Sequence, residues 1–172
     1  MLLTGQREAE IGKMEWTELE LDSDTLNLPG SRTKNGKAHT VHLSDLAMEI
    51  IQDLPRINRS KYVFTTNGTS PFTSYNYAKQ RIQRVMGGTS DWRPHDLRRT
   101  ATTLMAELGV AHHVADKVLN HTAGKITGVA ATYNRYEYLS ERKAALDALS
   151  RFIATLIGRE PGNVVPRRRQ SA

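Results

Sequence analysis

The sequence predicts an α+β fold that is mainly helical and carries a small antiparallel β-hairpin or sheet. Apolar residues recur at helical spacing in several stretches. Two short alternating segments, residues 26–28 and 39–43, flank Asn35 and Gly36, a dipeptide typical of hairpin turns. The 172 residues suffice for one domain with a hydrophobic core but not for two ordinary domains.

The individual helices follow from apolar spacing and from capping residues. Thr4 and Ser44 are predicted N-caps, and Gly87 and Gly109 are predicted helix stops. Residues 62–64 are predicted as a short extended piece. The predicted helices cover residues 5–14, 44–54, 74–86, 94–108, 111–119 and 139–158, with a further helix around residue 133.

The net charge of +6 and the pI near 9.7 fit a nucleic-acid partner. Half of that excess lies in residues 159–172, where four arginines face one glutamate. We expect this segment to be a basic, disordered tail that follows a folded domain of residues 1–158. With no cysteine, the chain has no disulfide, thiolate nucleophile or zinc-finger module. The sequence shows no long apolar run, so a cytoplasmic location without a membrane partner is expected.

The most informative motif begins at Pro94. His95 and Arg98 are three positions apart and therefore share one face of the predicted helix. Pro94 suits the first helical turn, and Asp96 complements the positive end of the helix dipole. A histidine and a guanidinium at a helix N-terminus can bind a phosphate oxygen. Arg99 points about 100° away and is left out of this site.

Four further motifs accompany this one in a fixed order. Arg7 lies near the start of the chain, and Lys34 is next to the Asn-Gly turn. His121 and Tyr133 follow the His-x-x-Arg helix. The order Arg, Lys, His-x-x-Arg, His, Tyr resembles the active site of the tyrosine recombinases, the phage integrase family, most of all the prophage-type integrases. The resemblance runs from residue 2 to about residue 140.

The resemblance implies a function and partners. It implies a helical catalytic domain that cleaves and rejoins DNA at attachment-type sites through a covalent 3′-phosphotyrosyl intermediate, to integrate or excise a mobile element. Double-stranded DNA, other copies of the chain and accessory DNA-bending or directionality factors are the implied partners. No cofactor, metal or ATP is implied, because the phosphotyrosyl bond retains the energy of the phosphodiester.

The resemblance also implies a role for each site residue. Arg7 and Arg98 would bind the nonbridging oxygens of the scissile phosphate, and each guanidinium can offer a bidentate fork. His121 would hydrogen-bond the same phosphate. Glu10, one helical turn after Arg7, is expected to orient that arginine through an ion pair and not to be catalytic.

Proton transfer falls to three other side chains. Tyr133 would be the nucleophile, His95 would accept its proton, and Lys34 would protonate the leaving 5′-oxygen. Tyr136 and Tyr138 are alternative nucleophiles, and Tyr133 is preferred to both. Lys37 is the alternative acid, and Lys34 is preferred to it.

The remaining histidines receive plainer interpretations. His112 and His113, taken with His121, suggest a metal site, but their spacing fits no standard ligand pattern and we expect none. His39 and His42 are expected on the surface of the hairpin.

Three features depart from the family pattern. The chain begins almost at Arg7, so the N-terminal DNA-clamping domain of full-length members is expected to be missing. Asn120 stands where a glycine usually precedes the second histidine. The interval from His121 to Tyr133 is longer than in many relatives. These departures keep open a non-catalytic or decayed DNA-binding fragment. A type IB topoisomerase, which shares the chemistry, is the other alternative.

The last predicted helix, residues 139–158, has an apolar stripe that must be covered. The resemblance implies docking on a neighbouring subunit, which would link active sites in an assembly on DNA. Packing against its own domain is the alternative. The stripe comprises Leu146, Leu149, Phe152, Ile153, Leu156 and Ile157.

Overall fold

The computed structural model of the chain describes residues 1–88, 91–121 and 137–159. Tyr133 and the helix predicted around it lie outside the described residues, as does the tail from residue 160 onward. None of the helices in the described ranges is long and apolar enough to cross a membrane.

The mainly helical α+β fold with a small antiparallel sheet is confirmed. The described elements are, in chain order, α1 (Glu8–Gly12), β1 (Leu19–Glu20), β2 (Thr25–Leu28), β3 (His39–His42), α2 (Asp45–Gln52), α3 (Tyr75–Val85), α4 (Pro94–Glu107), α5 (His112–Val118) and α6 (Leu139–Leu156), with short 3-10 helices at Trp16–Glu18 and Gly30–Arg32.

The first helix is shorter than predicted, because its N-cap is Arg7 and not Thr4. The Thr4 hydroxyl accepts a hydrogen bond from the backbone N–H of Gln6 at 3.3 Å, within a turn that precedes the helix. Gly5 lies in that turn with φ of +65°, a conformation that a glycine adopts without strain. The turn sets the direction in which Arg7 leaves the N-terminal segment.

The sheet has the order β1-β2-β3, and both neighbouring pairs are antiparallel. Leu26 pairs with Val41 and Leu28 with His39, so β2 and β3 form the predicted hairpin. Leu26, Leu28 and Val41 are buried on one face, as strand alternation requires. The connection spans residues 29–38 and is not a two-residue Asn-Gly turn. β1 escapes prediction because two residues show no alternation.

The placement of His39 and His42 on the hairpin surface was wrong. His39 is 8% exposed, and its Nε2 lies 3.2 Å from the carbonyl oxygen of Val118 at the end of α5. His42 Nε2 lies 2.9 Å from Oδ1 of Asp147 on α6. Both histidines are covered because α5 and α6 pack against this strand, which the sequence of the hairpin alone does not reveal.

Helix α6 packs against its own domain. Leu146, Leu149 and Ile153 are buried in the core with residues of α2, α4, α5 and the sheet. Leu156 and Ile157, at the end of the same stripe, remain 67% and 58% exposed. The described chain therefore adopts the alternative of packing in cis, and docking on a neighbouring subunit stays a prediction.

Candidate active site

The start of α4 is fixed by its own sequence. Pro94 is the first helical residue, and the backbone N–H of Arg93 donates to Oδ2 of Asp96 at 2.8 Å. That hydrogen bond, helped by the charge of Arg99, lowers the pKa of the Asp96 carboxyl. His95 is exposed in this first turn, whereas Arg98, one turn later, is buried. The predicted pair therefore sits where α4 begins, with the histidine toward solvent.

Arg98 is held by two backbone carbonyls from distant parts of the chain. Its Nη1 donates to the Gly5 oxygen and its Nη2 to the Leu119 oxygen, both at 2.6 Å. Burial, and then the nearby positive charge of Arg7, lower the pKa of Arg98 to about 10, while Glu10 opposes that shift. The guanidinium is still charged at neutral pH. Since a guanidinium has five N–H donors, these two bonds leave others for a ligand.

Arg7 is oriented by the carboxylate of Glu10. The backbone N–H of Arg7 donates to Oε2 of Glu10 at 2.8 Å, and Nη1 of Arg7 donates to Oε1 at 3.0 Å. The Glu10 side chain is only 3% exposed, against 23% for Arg7. The ion pair expected from the spacing is present. It places a negative charge that moderates the repulsion between Arg7 and Arg98.

Lys34 lies exposed on a turn that its neighbours organise. The Thr33 hydroxyl donates to the carbonyl oxygen of Lys37 at 2.7 Å. Oδ1 of Asn35 accepts the backbone N–H of Lys37 at 3.1 Å, and Nδ2 of Asn35 donates to Oδ1 of Asn120 at 2.6 Å. The Lys34 turn is thereby attached to the end of α5. Lys37, the alternative acid, is exposed on the same turn.

The end of α5 is a Schellman motif, which accounts for Asn120 in place of glycine. Asn120 has φ of +50°, its N–H donates to the Lys117 oxygen at 3.2 Å, and the N–H of His121 donates to the Asp116 oxygen at 3.0 Å. Asparagine adopts this left-handed conformation more readily than other side chains do. The departure from the family pattern therefore preserves the backbone that places His121.

The ring of His121 is oriented by the carboxylate of Asp116. Nδ1 of His121 lies 3.2 Å from Oδ1 of Asp116, and Nδ1 of His112 lies 3.2 Å from Oδ2 of the same residue. In the described ranges, no three His, Asp or Glu side chains form a group that could hold a metal ion.

The structure brings five of the six predicted site residues onto adjoining segments. Arg98 bonds to the segment that carries Arg7 and to the residue two before His121, and the Lys34 turn bonds to Asn120. His95 shares the first turns of α4 with Arg98. The sixth residue, Tyr133, and its rival Tyr136 lie outside the described residues. The catalytic roles themselves stay predictions.

Tyr138, the other rival nucleophile, lies where α6 begins. It is the N-cap of that helix, with φ of +51°. Its ring centroid is 4.8 Å from that of His113. The side chain is partly buried against the core, so its position in the fold already serves packing.

Arg142 and Arg32 support the site, and sequence reasoning missed both. Buried Arg142 donates to the Thr40 oxygen and, at 3.4 Å, to the Glu137 oxygen, which ties the start of α6 to β3. Its signal was its position on the apolar stripe of α6. Arg32 pairs with Glu18 and donates to the carbonyl oxygen of Glu10 at 2.7 Å, which caps α1.

A profile of the phage integrase family matches residues 1–138. Among curated proteins, the chain is 29% identical to prophage integrase IntA of Escherichia coli K12 over 83% of this chain and 34% of that protein. It is 28% identical to prophage integrase IntZ of the same organism, over 90% of this chain and 39% of that protein. The chain thus spans between a third and two fifths of the length of these relatives.

Solved structures agree at the level of the fold. The integrase from mycobacterium phage Brujita superposes with a TM-score of 0.64 at 18% identity, covering 86% of this chain and 48% of that one. The Tn1549 transposon integrase, solved in complex with a circular intermediate DNA, gives a TM-score of 0.56 at 15% identity over 70% of this chain and 48% of that one. With the family match over more than half of its residues, this chain belongs to the phage integrase family.

Proposed function

We propose that residues 1–158 form the catalytic domain of a tyrosine recombinase, which integrates or excises a mobile element by cleaving and rejoining DNA at specific sites. The observation that carries this proposal is the meeting of Arg7 and Arg98. Arg98 bonds to Gly5, two residues before Arg7, and the charge of Arg7 lowers the pKa of Arg98. Glu10 offsets part of this repulsion, and an anion bound by both guanidiniums would offset more of it. A phosphodiester supplies that anion.

The two arginines and His121 bind the scissile phosphate. As the pentacoordinate state forms, negative charge grows on the nonbridging oxygens, and fixed donors at those positions stabilise it. Arg98 suits this role because its two bonds to carbonyl oxygens fix the plane of its guanidinium before DNA arrives. Glu10 holds Arg7 in a fixed position in the same way.

Tyr133 attacks the phosphorus and passes its proton to His95. The bond between phosphorus and the 5′-oxygen breaks, a 3′-phosphotyrosyl bond forms, and Lys34 donates a proton to the departing 5′-oxygen. Because Lys34 is exposed on its turn, its side chain is free to approach the 5′-oxygen of bound DNA. Because the phosphotyrosyl bond keeps the energy of the original bond, the reaction needs neither ATP nor a metal ion, and rejoining runs the same steps backward.

Helix α3 supports contact with the DNA backbone. It carries Lys79, Arg81 and Arg84 and no acidic residue, and none of its residues is buried. A helix whose Arg81 and Arg84 side chains are exposed suits contact with the regular phosphates of a duplex. We further propose that other copies of the chain, docked through residues 139–158, and accessory DNA-bending or directionality factors complete the assembly.

Covalent trapping tests the proposal. The probe is a duplex with the junction sequence of the mobile element and a nick a few nucleotides beyond the scissile phosphate. After cleavage, the short fragment that carries the new 5′-hydroxyl diffuses away. We expect the chain to form a covalent protein–DNA adduct, visible on a denaturing gel. Tyr133→Phe should abolish the adduct and leave DNA binding intact, whereas Tyr138→Phe should leave the adduct in place.

The other outcomes separate the alternatives. An adduct that survives Tyr133→Phe and disappears with Tyr136→Phe or Tyr138→Phe would show that the nucleophile was wrongly assigned. Relaxation of supercoiled plasmid at sites of any sequence would favour a type IB topoisomerase. Binding without any adduct, on a duplex whose junction sequence is verified, would favour an inert DNA-binding fragment.

A further inference from the structure

We propose that Asn35 and Asn120 form a positioning pair, which holds the Lys34 turn at the correct distance from His121 for the protonation of the leaving 5′-oxygen. The inference rests on the proposed function and adds two residues to it. Neither asparagine would touch DNA. Each acts through the catalytic residue beside it in the chain.

The side-chain amide of Asn35 has only one orientation that satisfies its neighbours. Its Oδ1 must accept the backbone N–H of Lys37 at 3.1 Å, because that group can only donate. The Thr33 hydroxyl also lies 3.2 Å from this oxygen, but its one proton goes to the Lys37 carbonyl at 2.7 Å. Nδ2 of Asn35 therefore faces Asn120, where it donates to Oδ1 at 2.6 Å and to the backbone oxygen at 3.2 Å. The turn is thus bonded both to itself and to α5.

Asn120 occupies the position between two groups of the site. The preceding carbonyl, that of Leu119, accepts from Arg98, and the following residue is His121. The left-handed backbone of Asn120 is fixed by the Schellman hydrogen bonds, so its side chain leaves α5 in a defined direction. A contact made by this side chain therefore ties the Lys34 turn directly to the phosphate-binding groups.

The contact with Asn120 is what places the turn against α5, since the bonds of Thr33 stay within the connection and those of Arg32 lead to Glu10 and Glu18. Lys34 belongs to the connection of residues 29–38, which leaves the sheet after β2 and returns at β3. Lys34, Gly36 and Lys37 are all exposed, whereas Asn35 is partly buried against Asn120. Among the hydrogen bonds that the described residues make with the turn, those to Asn120 link it to the part of the site after α4.

Two substitutions remove the pair with little other change. Asn120→Gly keeps a residue that favours positive φ, so the Schellman motif survives while the side-chain amide is lost. Asn35→Asp keeps the oxygen that accepts from Lys37 but replaces the donor Nδ2 with an oxygen, which faces both Oδ1 and the backbone oxygen of Asn120 and can donate to neither. Asn27→Ala is the matched control, since it removes another hydrogen bond of the same hairpin, the one from the Thr40 hydroxyl at 2.8 Å.

The experiment compares two leaving groups in single-turnover cleavage of the nicked duplex. One substrate has the natural 5′-oxygen at the scissile phosphate and the other has sulfur there, which departs as a thiolate without needing a proton. We expect Asn120→Gly and Asn35→Asp each to slow cleavage of the oxygen substrate about tenfold, the worth of one good hydrogen bond. Cleavage of the sulfur substrate should stay near the wild-type rate, as with Lys34→Ala.

Further results decide between a positioning role and a merely structural one. The double variant should be no slower than either single variant, because both substitutions remove the same contact between Asn35 and Asn120. Asn27→Ala should cleave both substrates at the wild-type rate. Equal slowing of both substrates, or normal cleavage of the oxygen substrate, would overturn the positioning role. If Lys34→Ala is itself not rescued by sulfur, the acid is wrongly assigned and the positioning role falls with it. Absence of any adduct from the wild-type chain would instead refute the proposed function.

Discussion

Arg98 combines structural hydrogen bonds with a proposed binding role because of the shape of its side chain. The planar guanidinium spans the oxygens of Gly5 and Leu119 with two nitrogens and still has N–H groups left over. A lysine ammonium has its donors on one atom and cannot span both carbonyls. Some N–H groups of the Arg98 guanidinium therefore stabilise the fold, and others are left for the proposed phosphate site.

Arg98→Lys should damage both properties. We expect adduct formation to fall by at least about 100-fold, since removing one transition-state donor costs about 3 kcal/mol. The free energy of unfolding in urea should fall by about 1–3 kcal/mol, because a buried carbonyl loses its partner. Arg99→Lys is the control: Arg99 is exposed and pairs with Asp96, a contact that a lysine can also make, so neither quantity should change appreciably. Equal effects at both positions would contradict the assignment.

Side-chain contacts within one helical turn could be predicted, and contacts between distant segments could not. The Arg7–Glu10 pair and the shared helix of His95 and Arg98 follow from a spacing of three residues. The partners of Arg98 at Gly5 and Leu119 lie far away in sequence, and no local pattern encodes them. His39 was misplaced for the same reason, since only the packed helices cover it.

At the scale of the element, α3 differs from the other helices of the described chain. It has three cations, no acid and no buried residue, and it exposes Tyr77, Ile82 and Val85. Such a helix gains little stability from the core. Its charge and exposure are accounted for if it lies along a DNA duplex.

The double substitution Arg81→Ala/Arg84→Ala should weaken DNA binding through lost phosphate contacts. We expect the slope of log affinity against log salt to become shallower by about 1–2, because each neutralised phosphate contributes nearly one unit. Fluorescence anisotropy of a labelled duplex at several salt concentrations measures it. Arg151→Ala, on an exposed position of α6, should leave the slope unchanged. An unaltered slope in the double variant would place the DNA elsewhere.

Most long elements could be predicted, because several periodic apolar residues and strong capping signals define them. α4 begins at the predicted Pro94, and α3 ends within a residue of the predicted Met86. The short elements escaped, since β1 and the 3-10 helices contain too few residues to show a period. Asn35 and Gly36 marked a turn correctly but not the length of the connection, because the bonds of Asn35 to Asn120 join segments far apart in sequence.

At the scale of the whole molecule, His39 joins three elements. From β3, its Nε2 meets the Val118 oxygen at the end of α5, and Arg142 of α6 lies 3.5 Å from its Nδ1. Burial, and then the charge of Arg142, lower the pKa of His39 to about 4. The neutral ring fits both neighbours, since Nε2–H donates to the carbonyl and Nδ1 accepts from the guanidinium.

Stability should therefore fall as the pH drops from about 6.5 to about 4. In that interval the unfolded His39 binds a proton and the folded one does not, so protonation favours unfolding by on the order of 3 kcal/mol at the acid end. Above pH 6.5 the effect vanishes. Urea unfolding at several pH values measures it, with His39→Gln as the reference that keeps a donor to Val118. If the free energy of unfolding varied with pH in the same way for the wild type and His39→Gln, protonation of His39 would not account for the loss of stability.

The left-handed backbone of Asn120 has a consequence for the evolution of this chain. Asparagine and glycine codons differ at two positions, so single-nucleotide steps between them pass through serine or aspartate. Serine is strained at φ of +50°, and aspartate brings a negative charge beside the proposed phosphate site. Because both intermediates are expected to function worse than asparagine, single-nucleotide changes should leave asparagine in place at this position. The preference of one backbone dihedral angle thereby limits which codon changes this position can accept.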